Sequence, residues 1–217
     1  MKKYLRIFIS FGVILTLVLS FSCTEEDTNG PVITILGDDP LIIVLNDQNW
    51  VDPGAEAEDD KDGVVEVTAT NDVNENFQSN TYSITYTAID ESDNVSTATR
   101  AVHVVNSASV YEGNYDGTIK DAGGNIVYTY TTPEIITTDN TVNNRISFAK
   151  FGGYSPNEIY GNVTGTSITI PYQSNVINTE TRYFEGTGTI NGTTMVIDFT
   201  ETVNGVSEDF ELTYIKQ

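Results

Sequence analysis

Two acidic turns in the first half of the chain carry side chains that could bind a metal ion. The stretch EDDKDG contains Asp59, Asp60 and Asp62, and DESDN contains Asp90 and Asp93. If the first turn joins the second strand of a β-sandwich to the third, and the other turn joins its last two strands, both turns lie at the same end of the sandwich. Calcium prefers oxygen ligands, so these five residues form a candidate calcium site. Their spacing is not that of an EF-hand, and because Asp and Asn also suit turns for backbone reasons, a purely structural role is the alternative.

Tyrosines in the second half of the chain could bind a sugar. An aromatic ring can stack on a sugar ring while nearby Asp and Asn side chains bond to its hydroxyls. Glycines and a proline interrupt the segment FAKFGGYSPNEIYG, which predicts a loop that presents Tyr154 and Tyr160 outward. The alternative is that tyrosine is a good strand former and fills half-buried faces. The candidate ligand-binding residues are Tyr154, Tyr160, Tyr172 and Tyr183.

Catalytic motifs are absent from the sequence. The single histidine, His103, lies in a predicted strand and has no partner for a general-base or zinc role. There is no nucleophile elbow, phosphate loop or histidine pair. A carboxylate pair for glycoside hydrolysis stays open, because its separation depends on the fold. We therefore expect that the protein is not an enzyme.

The single cysteine, Cys23, follows an N-terminal leader. Three basic residues precede an uncharged apolar run over residues 7–21, which is the order of a secretory signal peptide. The stretch LSFSC resembles the lipobox of bacterial lipoproteins, although Leu19 lies four residues before the cysteine instead of three. The resemblance implies a leader over residues 1–22 and an acylated Cys23 that anchors the protein to the membrane. A free thiol is the alternative.

An acidic tether, residues 23–30, follows the leader. Its run Glu25, Glu26 and Asp27 resembles the acidic export signal of surface lipoproteins in some Gram-negative bacteria, and a solvated linker is the alternative. The chain carries a net charge of −21, and all 31 acidic residues follow Cys23. Such a surface repels phosphate groups, which argues against a nucleic-acid partner and leaves the acyl chains as the membrane attachment. We expect a lipid-anchored protein on the outer membrane, exposed at the cell surface.

The rest of the sequence predicts two all-β domains. Short alternating runs of Thr, Val, Ile and Tyr are separated by Gly, Asn and Asp, and no long run has helical spacing. Residues 31–105 contain several short strands and predict a β-sandwich. Residues 110–217 contain about eight candidate strands joined by tight turns, such as Asn191-Gly192. A meander of this kind predicts an antiparallel up-and-down β-barrel.

Each domain resembles a known family. In the first, DPGAEAEDDKDG and YSITYTAIDESDNVSTATRAVHVV resemble the bacterial immunoglobulin-like (Ig-like) repeat named after a pesticidal crystal protein. This resemblance implies a spacer or adhesion module without catalytic residues. The second domain, with its opening YEGNYDGTI, resembles lipocalin-like barrels of surface lipoproteins. An eight-stranded barrel can be filled by its own side chains or hold one small ligand, and both interpretations stay open.

These features predict a cell-surface lipoprotein that binds a ligand without catalysis. Extracellular glycan is the leading candidate ligand, the Ig-like domain would act as a spacer, and calcium is the candidate cofactor. The alternative is a structural or adhesion protein whose filled barrel docks onto a larger outer-membrane complex. An enclosed aromatic cavity would favour the first function, and a packed interior with an exposed apolar patch would favour the second.

Overall fold

The computed structural model describes residues 26–155 and 158–217, so the predicted leader and Cys23 lie outside the described residues. The described part is built of strands, with short 3-10 helices at Ser109–Tyr111 and Phe151–Gly153. It forms an Ig-like sandwich followed by a closed eight-stranded antiparallel barrel, which confirms the predicted fold class. Within the described ranges, no helix is long and apolar enough to span a membrane.

The sandwich consists of two sheets. Its strands are β1 (Val32–Ile35), β2 (Leu41–Val44), β3 (Ala55–Asp59), β4 (Gly63–Val65), β5 (Val67–Asn71), β6 (Ser79–Ile89) and β7 (Val95–Val105). A three-stranded antiparallel sheet has the order β1-β3-β4, and a four-stranded sheet has the order β2-β7-β6-β5. In the second sheet β2 runs parallel to β7, whereas the other pairs are antiparallel. The β3–β4 and β6–β7 turns lie at the same end of the domain, because residues of both turns meet there.

The core of the sandwich contains a buried charge. Ile84 and Tyr86 of β6 are buried on the inner face, as the alternating pattern of this strand predicts. Arg100 of β7 is also fully buried, and its guanidinium donates hydrogen bonds to the Asp52 carboxylate at 2.8 Å and the Gly54 carbonyl at 3.1 Å. The Tyr86 hydroxyl donates to the same carboxylate at 2.7 Å. The segment around Asp52 therefore neutralises Arg100 inside the domain.

The barrel follows the sandwich directly. Its strands are β8 (Gly113–Asp121), β9 (Ile126–Thr129), β10 (Glu134–Thr138), β11 (Arg145–Phe148), β12 (Ile159–Thr164), β13 (Ser167–Ile177), β14 (Glu180–Asn191), β15 (Thr194–Val203) and β16 (Val206–Lys216). From β10 to β16 each strand pairs with the next, and β16 pairs with β8. Pairing of β8 with β10 closes the barrel.

One barrel strand is broken into two pieces. β9 and β10 pair with the same edge of β8, because Thr129 lies opposite Thr118 and Glu134 lies opposite Tyr115. Pro133 lies in the interruption between them, and proline has no N–H to donate to a neighbouring strand. The alternating stretch NIVYTYTT, residues 125–132, predicts one strand that ends at Thr132, whereas in the structure this strand ends at Thr129 and β10 follows the proline.

The interior of the barrel is filled by aromatic side chains. Phe148 and Tyr214 stack with their ring centroids 5.8 Å apart, and Phe151 meets Phe199 edge to face at 4.9 Å. All four rings are buried. Of the two interpretations left open by the sequence, the structure supports a barrel packed with its own side chains.

A carboxylate is buried at the point where the barrel closes. Glu134 has no exposed surface, and its oxygens accept hydrogen bonds from the Lys150 backbone N–H at 2.9 and 3.0 Å and from the Tyr214 hydroxyl at 3.0 Å. The Tyr130 hydroxyl lies 3.1 Å from that of Tyr214 and donates to the Lys150 carbonyl at 2.7 Å. Because β10 supplies Glu134, this network joins the closing strand to β16 and to the segment around Lys150.

A buried asparagine joins the two domains. Asn106 directly follows β7, is fully buried, and donates from its amide to the carbonyls of Asp139 and Val142 at 2.9 and 3.0 Å. Its side-chain oxygen accepts from the backbone N–H groups of Ala108 and Asn144 at 3.0 and 2.9 Å. The connection between sandwich and barrel is therefore anchored in the β10–β11 loop.

Candidate ligand-binding groove and acidic cluster

Two of the four candidate tyrosines form a stacked pair on the outside of the barrel. Tyr172 lies at a bulge in β13 and Tyr183 lies on β14, next to the buried Phe184. Successive residues of a strand point to opposite faces, so Tyr183 faces outward. The rings of Tyr172 and Tyr183 are 5.4 Å apart with an angle of 13° between their planes, and Tyr172 is 65% exposed. The pair thus presents a flat aromatic surface to solvent.

A groove of about 870 Å³ begins at Tyr172 and crosses the outer face of the barrel. Its walls come from β13 to β16 and from the end of β8. The polar side chains that line it are Lys120, Asp121, Thr169, Glu185, Thr187, Asp198, Thr200, Asp209 and Glu211. This volume lies in the range of ordinary small-molecule sites.

A close approach of two strands accompanies the groove. Gly186 of β14 lies so near β15 that an added Cβ would be 2.4 Å from the Asp198 carbonyl oxygen. Glycine inside a strand permits such an approach and the sharp bending that goes with it. The absence of a side chain at Gly186 therefore allows the strands to coil where the groove lies.

The chemistry of the groove suits an uncharged ligand with many hydroxyl groups. Carboxylates accept hydrogen bonds from hydroxyls, and the Thr side chains can donate as well as accept. Some of these groups already pair: Lys120 lies 2.8 Å from Glu211, and Thr200 donates to Asp209 at 2.7 Å. Because carboxylates outnumber the single lysine of the lining, the groove repels anions.

Tyr154 and Tyr160 lie outside this groove. The Tyr154 hydroxyl accepts a hydrogen bond from Arg182 at 2.8 Å and donates to Glu201 at 3.3 Å, while its ring packs against the barrel core. Burial raises the pKa of Tyr154 above its usual value. Tyr160 lies under the guanidinium of Arg145, 4.1 Å from the ring centroid. The structure therefore does not bring the four tyrosines together.

The predicted binding loop also differs from expectation. Phe151 is completely buried in the barrel core, and Gly152 and Gly153 turn the chain after it with φ angles of 69° and 85°. Tyr154 is half-buried, and its ring packs against the barrel core, which corrects the prediction that the loop presents it outward. Pro156 and the following residue lie outside the described residues. Local composition marked the interruption of the strand, but not the direction of the side chains.

The two acidic turns of the sandwich do meet, but the carboxylates that converge there are not the five that the sequence predicted. Carboxylate oxygens of Asp59, Asp62 and Asp90 lie within 4.8 Å of one another, together with one of Asp27 from the tether. Asp60 is exposed and outside this group, as is Asp93, whose φ of 66° suits a turn position. Nothing in the local sequence distinguishes Asp27 from the acidic residues before it, so the sequence analysis missed it.

Comparison with known proteins supports the Ig-like assignment of the first domain. Residues 33–104 match the family model described as Bacterial surface protein, Ig-like domain. The match covers about a third of the chain and leaves the barrel unassigned. The finer resemblances, to the pesticidal-crystal-protein type and to lipocalin-like barrels, stay predictions. The comparison with curated proteins gives no match.

Three solved structures show limited similarity. A lipoprotein of Bacteroides thetaiotaomicron is 17% identical, with 86% of this chain and 100% of that chain covered and a TM-score of 0.34. A Bacteroides fragilis protein described as an outer membrane protein is 11% identical, covering 79% and 93%, with a TM-score of 0.34. The CBM51-2 and INT domains of Clostridium perfringens ZmpB, in complex with GlcNAc, are 12% identical, covering 86% and 44%, with a TM-score of 0.30.

Proposed function

We propose that this protein is a lipid-anchored cell-surface protein that binds extracellular neutral glycan, without catalysis, in the groove on the barrel wall. The observation that carries the proposal is the exposed Tyr172–Tyr183 stack at one end of a groove lined by carboxylates and hydroxyls. Aromatic rings with polar groups around them are suited to sugar rings. Because the barrel interior is packed with its own side chains, an external site is the more accessible one.

The experiment measures binding of residues 24–217 to a panel of neutral, uronic-acid and sulfated polysaccharides. We expect a neutral class to bind, and the anionic classes to fail because the groove is acidic. Tyr172→Ala should weaken binding about tenfold, which corresponds to about 1.4 kcal/mol. Tyr160→Ala is the matched control, since it removes an outer-wall tyrosine that lies outside the groove. No binding to any neutral polysaccharide would refute the proposal.

The packed barrel interior and an exposed apolar strand together favour the structural alternative, in which the barrel docks onto an envelope protein. β9 exposes Ile126, Val127 and Tyr128, and among the described strands it pairs only with β8. An apolar strand with a free edge can accept a strand from another protein. A photo-crosslinker at position 127 would then give one defined adduct in intact cells. A crosslinker at position 126 of the same strand should give the same adduct, and it should lose the adduct when Val127→Lys is added, because the lysine prevents docking.

A further inference from the structure

Four carboxylates from three segments meet at one end of the Ig-like domain. Asp59 and Asp62 belong to the region of the β3–β4 turn, Asp90 begins the β6–β7 turn, and Asp27 precedes β1. One oxygen of each lies within 4.8 Å of the others. We call these four residues the acidic cluster.

Two oxygens of the acidic cluster are buried without a hydrogen-bond donor. Asp27 and Asp59 are 9% and 5% exposed, and the Oδ2 atom of each has no partner within the described structure. The Oδ1 atom of Asp59 accepts from the backbone N–H groups of Lys61 and Asp62 at 2.9 and 3.1 Å, which lowers the pKa of Asp59. Buried polar atoms almost always have a partner, so these two oxygens indicate that a hydrogen-bond donor or a cation is missing from the site.

Protein cations do not supply enough charge. The ammonium group of Lys61 lies 3.4 Å from Oδ1 of Asp27, and the lysine side chain is 42% exposed. In the described part of the chain, no other lysine or arginine forms an ion pair with the acidic cluster. Four carboxylates facing one exposed lysine repel each other, because the burial of Asp27, Asp59 and Asp90 reduces screening by water.

The ligand set selects the type of ion. All four side chains offer oxygen, which suits a hard cation and excludes a thiolate or imidazole zinc site. Calcium binds oxygen at about 2.3–2.6 Å, so two ligands on opposite sides of it lie at most about 5 Å apart. The separation within the acidic cluster satisfies this limit. Magnesium usually keeps several waters and binds one or two carboxylates, which fits four converging carboxylates less well.

We propose that the acidic cluster binds one calcium ion, and that this ion fastens the segment before β1 to the Ig-like domain. Residues 27–30, here called the strap, lie along the β6–β7 turn. Asn94 donates from its side chain to the Asp27 carbonyl at 3.1 Å, and an added Cβ on Gly30 would be 2.8 Å from Ser96 Oγ. Calcium would add the bond that joins the strap to both turns.

This arrangement has a consequence for orientation. Asp27 is the fourth residue after Cys23, and four residues span at most about 14 Å. If Cys23 carries acyl chains, calcium holds the cluster end of the domain beside the membrane and directs the barrel away from it. Loss of calcium would lengthen the tether and free the domain to rotate.

Calorimetric titration of residues 24–217 with calcium, after chelation, tests the site. We expect one ion per chain, with a dissociation constant of about 0.1–1 mM, as in extracellular calcium modules. Asp27→Asn should weaken binding at least tenfold, whereas Asp60→Asn, in the same turn but outside the cluster, should change it less than twofold. Asp62→Asn, at an exposed position, repeats the test if Asp27→Asn disturbs folding. No binding, equal binding of magnesium, or unchanged affinity in both cluster variants would overturn the proposal.

Thermal unfolding distinguishes a ligand role from a structural one. In chelator, Asp27→Asn should raise the unfolding temperature above that of the wild type, because it removes one of four repelling charges. In 10 mM calcium the order should reverse, because only the wild type gains the full binding energy. Hydrogen exchange of the strap amides should slow at least tenfold on calcium addition in the wild type alone. The same order in both conditions, or no slowing in the wild type, would contradict the calcium-fastened strap.

Discussion

Fully buried ionisable side chains make individual residues important for the stability of each domain. Arg100 and Glu134 are fully buried, one in each domain. Arg100 is paired with Asp52, which lies 48 residues earlier, and Glu134 is bonded to Tyr214, which lies 80 residues later. Each pairing requires the completed fold, since segments so distant in sequence meet only there.

Glu134 makes the stability of the barrel depend on pH. Burial raises the pKa of its carboxyl above the usual 4.5, so the folded chain holds this proton at higher pH than the unfolded chain. The stability contributed by protonation is fully present below the unfolded pKa and is lost as pH rises through the folded pKa. The difference in unfolding free energy, wild type minus Glu134→Gln, should therefore increase as pH falls from about 7 to about 4. Urea unfolding at several pH values measures it.

The control for this prediction is Glu208→Gln. Glu208 is exposed on β16, so its substitution should not reproduce the trend. A pH-independent difference for Glu134→Gln would mean that Glu134 titrates alike in the folded and unfolded chain.

The sequence did not distinguish Asp27, Asp59, Asp62 and Asp90 from the other acidic residues as one group. It located the two turns, because Asp, Asn and Gly at short spacing are typical of turns. Asp60 and Asp93 lie in the same turns but outside the cluster. Which carboxylates converge depends on the direction of each side chain, and the backbone conformation of the turn determines that direction.

Among the elements, the broken strand β9–β10 shows the limit of pattern analysis. In β10, Ile135 and Ile136 are adjacent, although only Ile136 faces the core. This pair hides the alternation that would otherwise mark a strand, and Pro133 directly precedes it. The other barrel strands alternate clearly. The total of eight strands in the barrel was predicted correctly.

The first barrel strand, β8, is constrained by the ring of Tyr130, which lies in the interruption between β9 and β10. A Cβ added to Gly117 would lie 2.5 Å from the Tyr130 ring. We therefore expect Gly117→Ala to lower the free energy of unfolding by about 2 kcal/mol, through overpacking. Chemical denaturation measures this change. In a Tyr130→Leu background the same substitution should cost less, and full additivity would show that the ring is not the cause.

At the scale of the whole molecule, Asn106 determines how the two domains are joined. Asn106→Ala would leave the carbonyls of Asp139 and Val142 and two backbone N–H groups without their side-chain partner. We expect a loss of about 2–4 kcal/mol in unfolding free energy and less coupled unfolding of the domains. Calorimetry of residues 24–217 measures both effects.

The matched control is Asn140→Ala. Asn140 is exposed in the same loop, and its backbone carbonyl, which accepts from Gln78 at 2.8 Å, is retained. A loss as large for Asn140→Ala as for Asn106→Ala would contradict a specific role of the buried amide.

The sequence by itself determined the all-β class, the Ig-like character of the first domain and the eight-stranded barrel. These depend on period-two alternation, turn residues and a local motif, all of which are read along neighbouring positions. Tertiary structure alone decided that the barrel is filled and that Tyr172 and Tyr183 stack while Tyr154 turns inward. It also brought Asp27 from the tether to two distant turns. Contacts of this kind depend on strand register and closure, and residues far apart in sequence carry no local mark of them.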